Sequence, residues 1–161
     1  MTNPPPSASP PADKTPIGSE TWRRHDPLLS SLIEVARFHR RGMSPEGFLA
    51  GLPLKDGRLS PSIFRRAAAR AGMASRISRR ALDGIREELL PAILLLKDND
   101  SCVLMGWNED RSKARVLFSE AGQGVAEVDL AKLEALYTGY VIFVRPRFRF
   151  DDRAPEIREV V

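Results

Sequence analysis

The stretch PAILLLKDNDSCVLMGW, residues 91–107, restricts the folds open to this chain more than any other. Two apolar runs flank Asp98-Asn99-Asp100, a cluster of turn-forming residues. Each run is continuously apolar, short and bounded by turn signals, so the pair predicts a hairpin of buried strands.

Upstream of the hairpin the periodicity is helical. Asp26 is a good N-cap, and Pro27 suits the first helical position, where its missing N–H is not needed. Leu28, Leu32, Val35, Ala36 and His39 recur on one helical face, and Gly42 is the expected stop. Ser44-Pro45-Glu46 opens a short second helix that Gly51 or Pro53 ends. Ser60-Pro61 opens a third, with Ile63, Phe64, Ala67, Ala68 and Ala71 inside and Gly72 as its cap.

After Gly72 the pattern turns to strands. MASRISR alternates weakly, ARVLFSE follows the hairpin, and GVAEVDL comes after an AGQG turn. DLAKLEALY reads as a short helix capped by Asp129 and broken by Gly139, and YVIFVRP as a last strand ended by Pro146. Helices first, then a mostly antiparallel sheet with one helix inserted, make an α+β domain. Residues 1–20, rich in Pro and Ser, cannot bury enough surface to offset ordering entropy and read as a flexible tail. The folded domain is expected over 21–148, with 149–161 a polar exit segment.

Composition narrows the chemistry. A chain of 161 residues with 42% hydrophobic and 29% charged residues is an ordinary soluble domain with room for a core. One cysteine, Cys102, allows neither an internal disulfide nor a cysteine-based metal site and fits a reducing compartment. Two histidines, His25 and His39, lie outside any metal-ligand spacing, so no metal is expected. No run reaches the ~18 apolar residues of a membrane span, and no secretory signal opens the chain. The net charge of +4 comes mostly from arginine, in pairs that read as solvated faces and helix ends.

Motifs for catalysis are absent. Cys102 lies inside an apolar strand and reads as a small buried hydrophobe. His39 reads as a helix-end histidine. There is no Gly-x-Ser-x-Gly elbow. AGQG lacks the Lys-Ser/Thr and the helix of a phosphate loop.

The segments DPLLSSLIEVARFHRRGMS, GLPLKDGRLSP, RAAARAGM, LPAILLLKDNDSCVLMGW and LEALYTGYVIFVRPRFRFD, in that order, resemble the N-terminal peptidase-like domain of bacterial ABC exporters, the bacteriocin-processing cysteine peptidase family C39. The likeness runs from about Thr21 to Asp151 and is greatest to transporters of type I secretion systems that export RTX adhesins and toxins. It implies a papain-like cysteine peptidase fold. The family's enzymes use a Gln that serves the oxyanion, a Cys nucleophile in an Asp-Cys-Gly element, a His, and an Asp that orients the His. Carried over residue by residue, these positions fall on Thr21, Pro27, Ser101 and Ser119. Asp26 is retained, but Pro27 cannot attack a carbonyl, and no His follows His39. The resemblance therefore implies a degenerate, catalytically inactive domain that docks an unfolded RTX-type export substrate.

Candidate contacts with that substrate are the aromatic residues Trp22, Trp107, Tyr137 and Tyr140, each of which could equally be packed. Further expectations follow from the family. The partners are the membrane and ATPase domains of the same transporter, the chain being an excised fragment that lacks both. ATP and Mg belong to the missing ATPase domain, so no cofactor is expected here. The place is the cytoplasmic face of a bacterial inner membrane. Two alternatives remain. An active leader peptidase, cleaving a double-glycine signal, would need a thiol at position 27. A basic nucleic-acid-binding module is suggested only by RPRFRF and the arginine pairs, so no nucleic-acid partner is expected.

Overall fold

A computed structural model of the protein describes residues 26–118 and 124–147. Three helices come first: α1 (Pro27–Phe38), α2 (Pro45–Leu49) and α3 (Pro61–Arg70). Strand β1 (Met73–Arg79) and two 3-10 turns, Leu82–Gly84 and Glu87–Leu89, lead to the hairpin of β2 (Ala92–Leu96) and β3 (Asp100–Trp107). Then come β4 (Lys113–Phe118), β5 (Ala126–Asp129), helix α4 (Leu130–Leu136) and β6 (Tyr137–Pro146). The strands form one antiparallel sheet in the order β1-β6-β2-β3-β4-β5.

The apolar runs of the hairpin have no solvent face because the sheet is covered on both sides. Along β2, Ile93 packs with the helical layer, whereas Ala92, Leu94 and Leu96 point to the opposite layer. The first core joins Leu29, Leu32, Phe48 and Phe64 of the helices to Ile93, Val103 and Ile142 of the sheet. The second joins Leu82, Ile85 and Leu133 to Leu94, Cys102, Leu104, Trp107 and Val116. Burying each such side chain contributes about 1.5–3 kcal/mol, so two cores of this size hold the sheet from both faces.

Local chemistry explains most element ends, with three departures from expectation. The first helix stops before Gly42. Arg40 takes a left-handed conformation (φ 59°), while the Arg41 N–H reaches the Ala36 carbonyl and the Arg40 N–H that of Arg37. This is the paired bonding of a Schellman cap, closed by an arginine in place of glycine. Tyr137 belongs to β6, so the fourth helix ends at Leu136 and Gly139 (φ 101°) sits inside the strand. Asp129 stands at the cap position of α4, but its carboxylate makes no cap bond and lies 3.8 Å from Lys113 Nζ. Most of the expected AGQG turn lies outside the described residues.

Candidate functional site

Asp26 organises one end of the helical layer. Its carboxylate is buried and accepts two backbone N–H bonds, from Leu29 at 3.1 Å and from Leu59 at 2.9 Å. The first bond caps α1. The second ties the helix to the 54–60 segment, 33 residues away in sequence. That segment folds back at Asp56-Gly57, both with positive φ, with reciprocal backbone bonds between Lys55 and Arg58. Asp-Gly is the dipeptide such a tight turn favours.

A cleft of ≈ 710 Å³ opens where these parts meet the hairpin. The start of α1 (Pro27 and Leu28) and the 55–61 segment form one wall. The other is built from Leu95, Asn99, Asp100 and Ser101 of the hairpin, with Thr138 and Tyr140 of β6. Asp98 and Asn99 make the hairpin turn in left-handed conformations (φ 61° and 58°) that short polar residues tolerate. The Asp100 carboxylate accepts the Ser101 N–H at 2.8 Å. The Thr138 hydroxyl donates to the Leu95 carbonyl at 2.7 Å and fixes the start of β6. The floor is apolar and the rim carries Lys55, Arg58, Asp56 and Asp100, so the cleft suits a mixed chain segment better than a single ion.

Strand alternation then decides what faces this cleft. Ser101 points to α1, and its hydroxyl lies 2.8 Å from that of Ser31, both side chains buried. Cys102, the next residue, points to the second core and is fully buried. Desolvation holds its thiol far above the usual thiol range, in the un-ionised and unreactive form. His39 ends α1 at the opposite pole, about 18 Å along the helix from Pro27. Burial and the neighbouring Arg41 lower its pKa.

Of the positions singled out in the sequence, Pro27 and Ser101 therefore line one cleft. Thr21, Trp22 and Ser119 lie outside the described residues. Tyr140 is 43% exposed and stands in the cleft wall, with the Arg79 guanidinium 5.9 Å from its ring centre. The other two aromatic residues are buried away from it. Trp107 packs into the second core beneath the Arg111 guanidinium, 4.7 Å from its ring centre. Tyr137 is in the same core, and its hydroxyl donates to the Arg80 carbonyl at 2.7 Å. Burial pushes that phenol up to about 12. Neither is the exposed contact residue the sequence suggested. The Lys55–Arg58 rim and Thr138 were not anticipated, although the Asp-Gly dipeptide signalled the turn that presents the rim.

No family model matches the chain, and no curated protein does. Solved structures do. The chain is 43% identical to the N-terminal peptidase C39 like domain of the toxin secretion ATP-binding protein from Vibrio parahaemolyticus, with a TM-score of 0.73, over 76% of this chain and 98% of that one. It is similar in fold to a double glycine motif protease from an AMS/PCAT transporter, solved in complex with the leader peptide (TM-score 0.63, 18% identity, 75% and 84% covered). It is also similar in fold to the peptidase domain of Streptococcus ComA, a bi-functional ABC transporter of a quorum sensing pathway (TM-score 0.62, 15% identity, 75% and 92% covered).

Proposed function

Because the chain belongs to the peptidase C39-like domains of secretion ABC transporters, we propose that it serves such a transporter without cutting, holding the export substrate in the cleft beside α1. One observation carries this reading. Pro27 and Ser101 line the same cleft, while the sole cysteine faces the other core. Acyl transfer by a cysteine peptidase needs a thiolate and an imidazole within hydrogen-bond reach of one another. Pro27 offers neither a nucleophile nor a proton to move. Ser101 turns its hydroxyl to Ser31. Thr21 and Ser119 complete the reading as replacements for the oxyanion Gln and the orienting Asp.

What remains is a groove with a sheet at one side, an apolar floor and a charged rim. Extended chains bind such grooves through main-chain hydrogen bonds and side-chain pockets. Tyr140, in the wall, is the aromatic contact. The substrate is an unfolded secreted protein of the RTX type, presented at the cytoplasmic face of the inner membrane. ATP and Mg²⁺ act in the ATPase domain of the transporter and not in this cleft.

Two measurements test the proposal. The full chain is incubated with a double-glycine leader peptide and analysed by mass spectrometry; the peptide stays intact, and a thiol-dependent product overturns the non-cleaving reading. The C-terminal segment of an RTX protein is then titrated in urea-unfolded and calcium-folded form. Saturable binding of the unfolded form, weakened by Tyr140→Ala, is the expected result, and its absence removes the docking reading.

A further inference from the structure

The arginines that look scattered along the chain are concentrated in three elements that the fold sets side by side, α3, β1 and the end of β6. Residues 59–82, covering α3 and β1, contain six arginines and no Asp or Glu, and Arg145 and Arg147 at the end of β6 add two more. The whole chain has 25 basic and 21 acidic residues, so outside these eight arginines the acids outnumber the bases by four. Seven of the eight are exposed and Arg80 is half-buried. Among the described residues none of them forms a salt bridge.

This basic region coincides with an open strand. Among the described residues β1 is the terminal strand of the sheet and pairs only with β6. No other backbone hydrogen bond reaches Met73–Arg79 among the described residues. Beside the free edge runs a groove of ≈ 350 Å³ between α3 and β1, lined by Phe64, Arg65, Ser75, Arg76 and Ile77. Ile77, an apolar side chain 43% exposed on that strand, lies between Arg76 and Arg79.

We propose that the outer edge of β1 is a second binding site, separate from the cleft, that takes an acidic polypeptide segment in extended conformation as an added strand. The free N–H and C=O groups supply the main-chain bonds of strand addition. Ile77 and the groove accept an apolar side chain. Successive residues of a strand face opposite sides, so Arg76 selects for carboxylates on one face of the added strand, while Ile77 lies on the other face, with Arg65 across the groove and Arg79 two residues on. A second copy of this chain is a poor occupant, because two such edges repel. A lipid surface or a nucleic acid satisfies the charge but leaves the strand's polar groups unused.

The test uses the full chain and a peptide of alternating Glu and Val, with a Lys-Val peptide as control. The Glu-Val peptide binds, slows hydrogen exchange of β1 amides, and loses at least about tenfold in affinity between about 50 mM and about 500 mM salt. The double variant Arg65→Glu/Arg76→Glu weakens binding about tenfold or more, whereas the charge-matched Lys97→Glu/Lys132→Glu stays within about twofold of the unaltered chain. Equal loss in both variants reduces the effect to net charge and overturns the site. So does binding without protection of β1, or a preference for phosphatidylglycerol vesicles or single-stranded DNA over the peptide. Arg65 and Arg76 line the groove and not the cleft, so failure here leaves the reading of the cleft standing.

Discussion

Asp26 has two separable jobs, and three chains distinguish them. Replacing it with Ala removes the α1 cap, at about 1 kcal/mol, and strands the buried Leu59 N–H, at about 1–3 kcal/mol. The total is about 2–4 kcal/mol, which at a urea slope near 2 kcal/mol/M lowers the unfolding midpoint by about 1–2 M. Asp26→Ser keeps a capping oxygen for Leu29 but is one atom shorter and carries a single oxygen, so only the Leu59 bond is lost. Its midpoint falls between those of the unaltered chain and the Ala variant. Hydrogen exchange at Leu59 is the specific readout. Both variants speed exchange there, and only the Ala variant also frays the first turn of α1. A Ser variant as stable as the unaltered chain, with the Leu59 amide still slow, refutes the claim that Asp26 ties α1 to the 54–60 segment within one wall of the cleft.

Other expectations follow from single residues. Tyr137→Phe leaves the Arg80 carbonyl without its hydroxyl donor and destabilises the domain by about 1 kcal/mol in urea unfolding. The same phenol is raised from 10 to about 12 in the folded state. Its contribution is full below pH 10 and lost as pH rises from 10 to about 12, a decline that the Phe variant lacks in alkaline unfolding. His39 has a folded pKa lowered below 6.5, so the folded state binds the proton less well than the unfolded one. Stability falls as pH drops below 6.5 towards that lowered value, and a His39→Gln variant shows a flatter profile over the interval. Cys102 reacts with a thiol reagent only as fast as the domain unfolds, because its sulfur is buried. A fast native reaction would contradict its place in the second core. Pro27→Cys gains a thiol at the head of α1 and still leaves a leader peptide uncut, with Ser101 across the cleft.

The sequence made the layered architecture legible because its strongest signals are local. Asp-Pro and Ser-Pro pairs start three helices where expected, and the apolar runs around Asp98-Asn99 form the central hairpin. Partners distant in sequence were not legible. Nothing in MASRISR says that it pairs with YTGYVIFVRP, since that register comes from burying Met73, Ile142 and Val144 in one core. Gly42 looked like the better helix stop. The chain turns earlier because the Ala36 and Arg37 carbonyls take their cap bonds from Arg41 and Arg40. Trp107 and Tyr137 looked like surface aromatics at element ends, yet each falls on the side of its strand that faces the second core. For the cleft, Pro27 and Ser101 came from a family likeness. The direction of the Ser101 hydroxyl needed β3 alternation, and the Lys55–Arg58 rim needed a contact that crosses from Asp26 to Leu59.

The sheet order carries a consequence for how the polypeptide is made. The last of the described strands to be synthesised, β6, is not at the rim but lies between β1 and β2, pairing along seven positions with one and four with the other. Until Tyr137–Pro146 has left the ribosome, β1 has no strand to join and β2 presents a bare apolar flank. Closing the sheet brings together residues more than 70 positions apart, as in Met73 with Pro146, and non-local pairing of this kind is slow. A nascent chain stalled before β6 therefore exposes two open strands and an unfinished core on each face. Its survival depends on chaperones or on rapid completion, and a protease pulse during translation should cut such intermediates readily until the final strand zips into the middle.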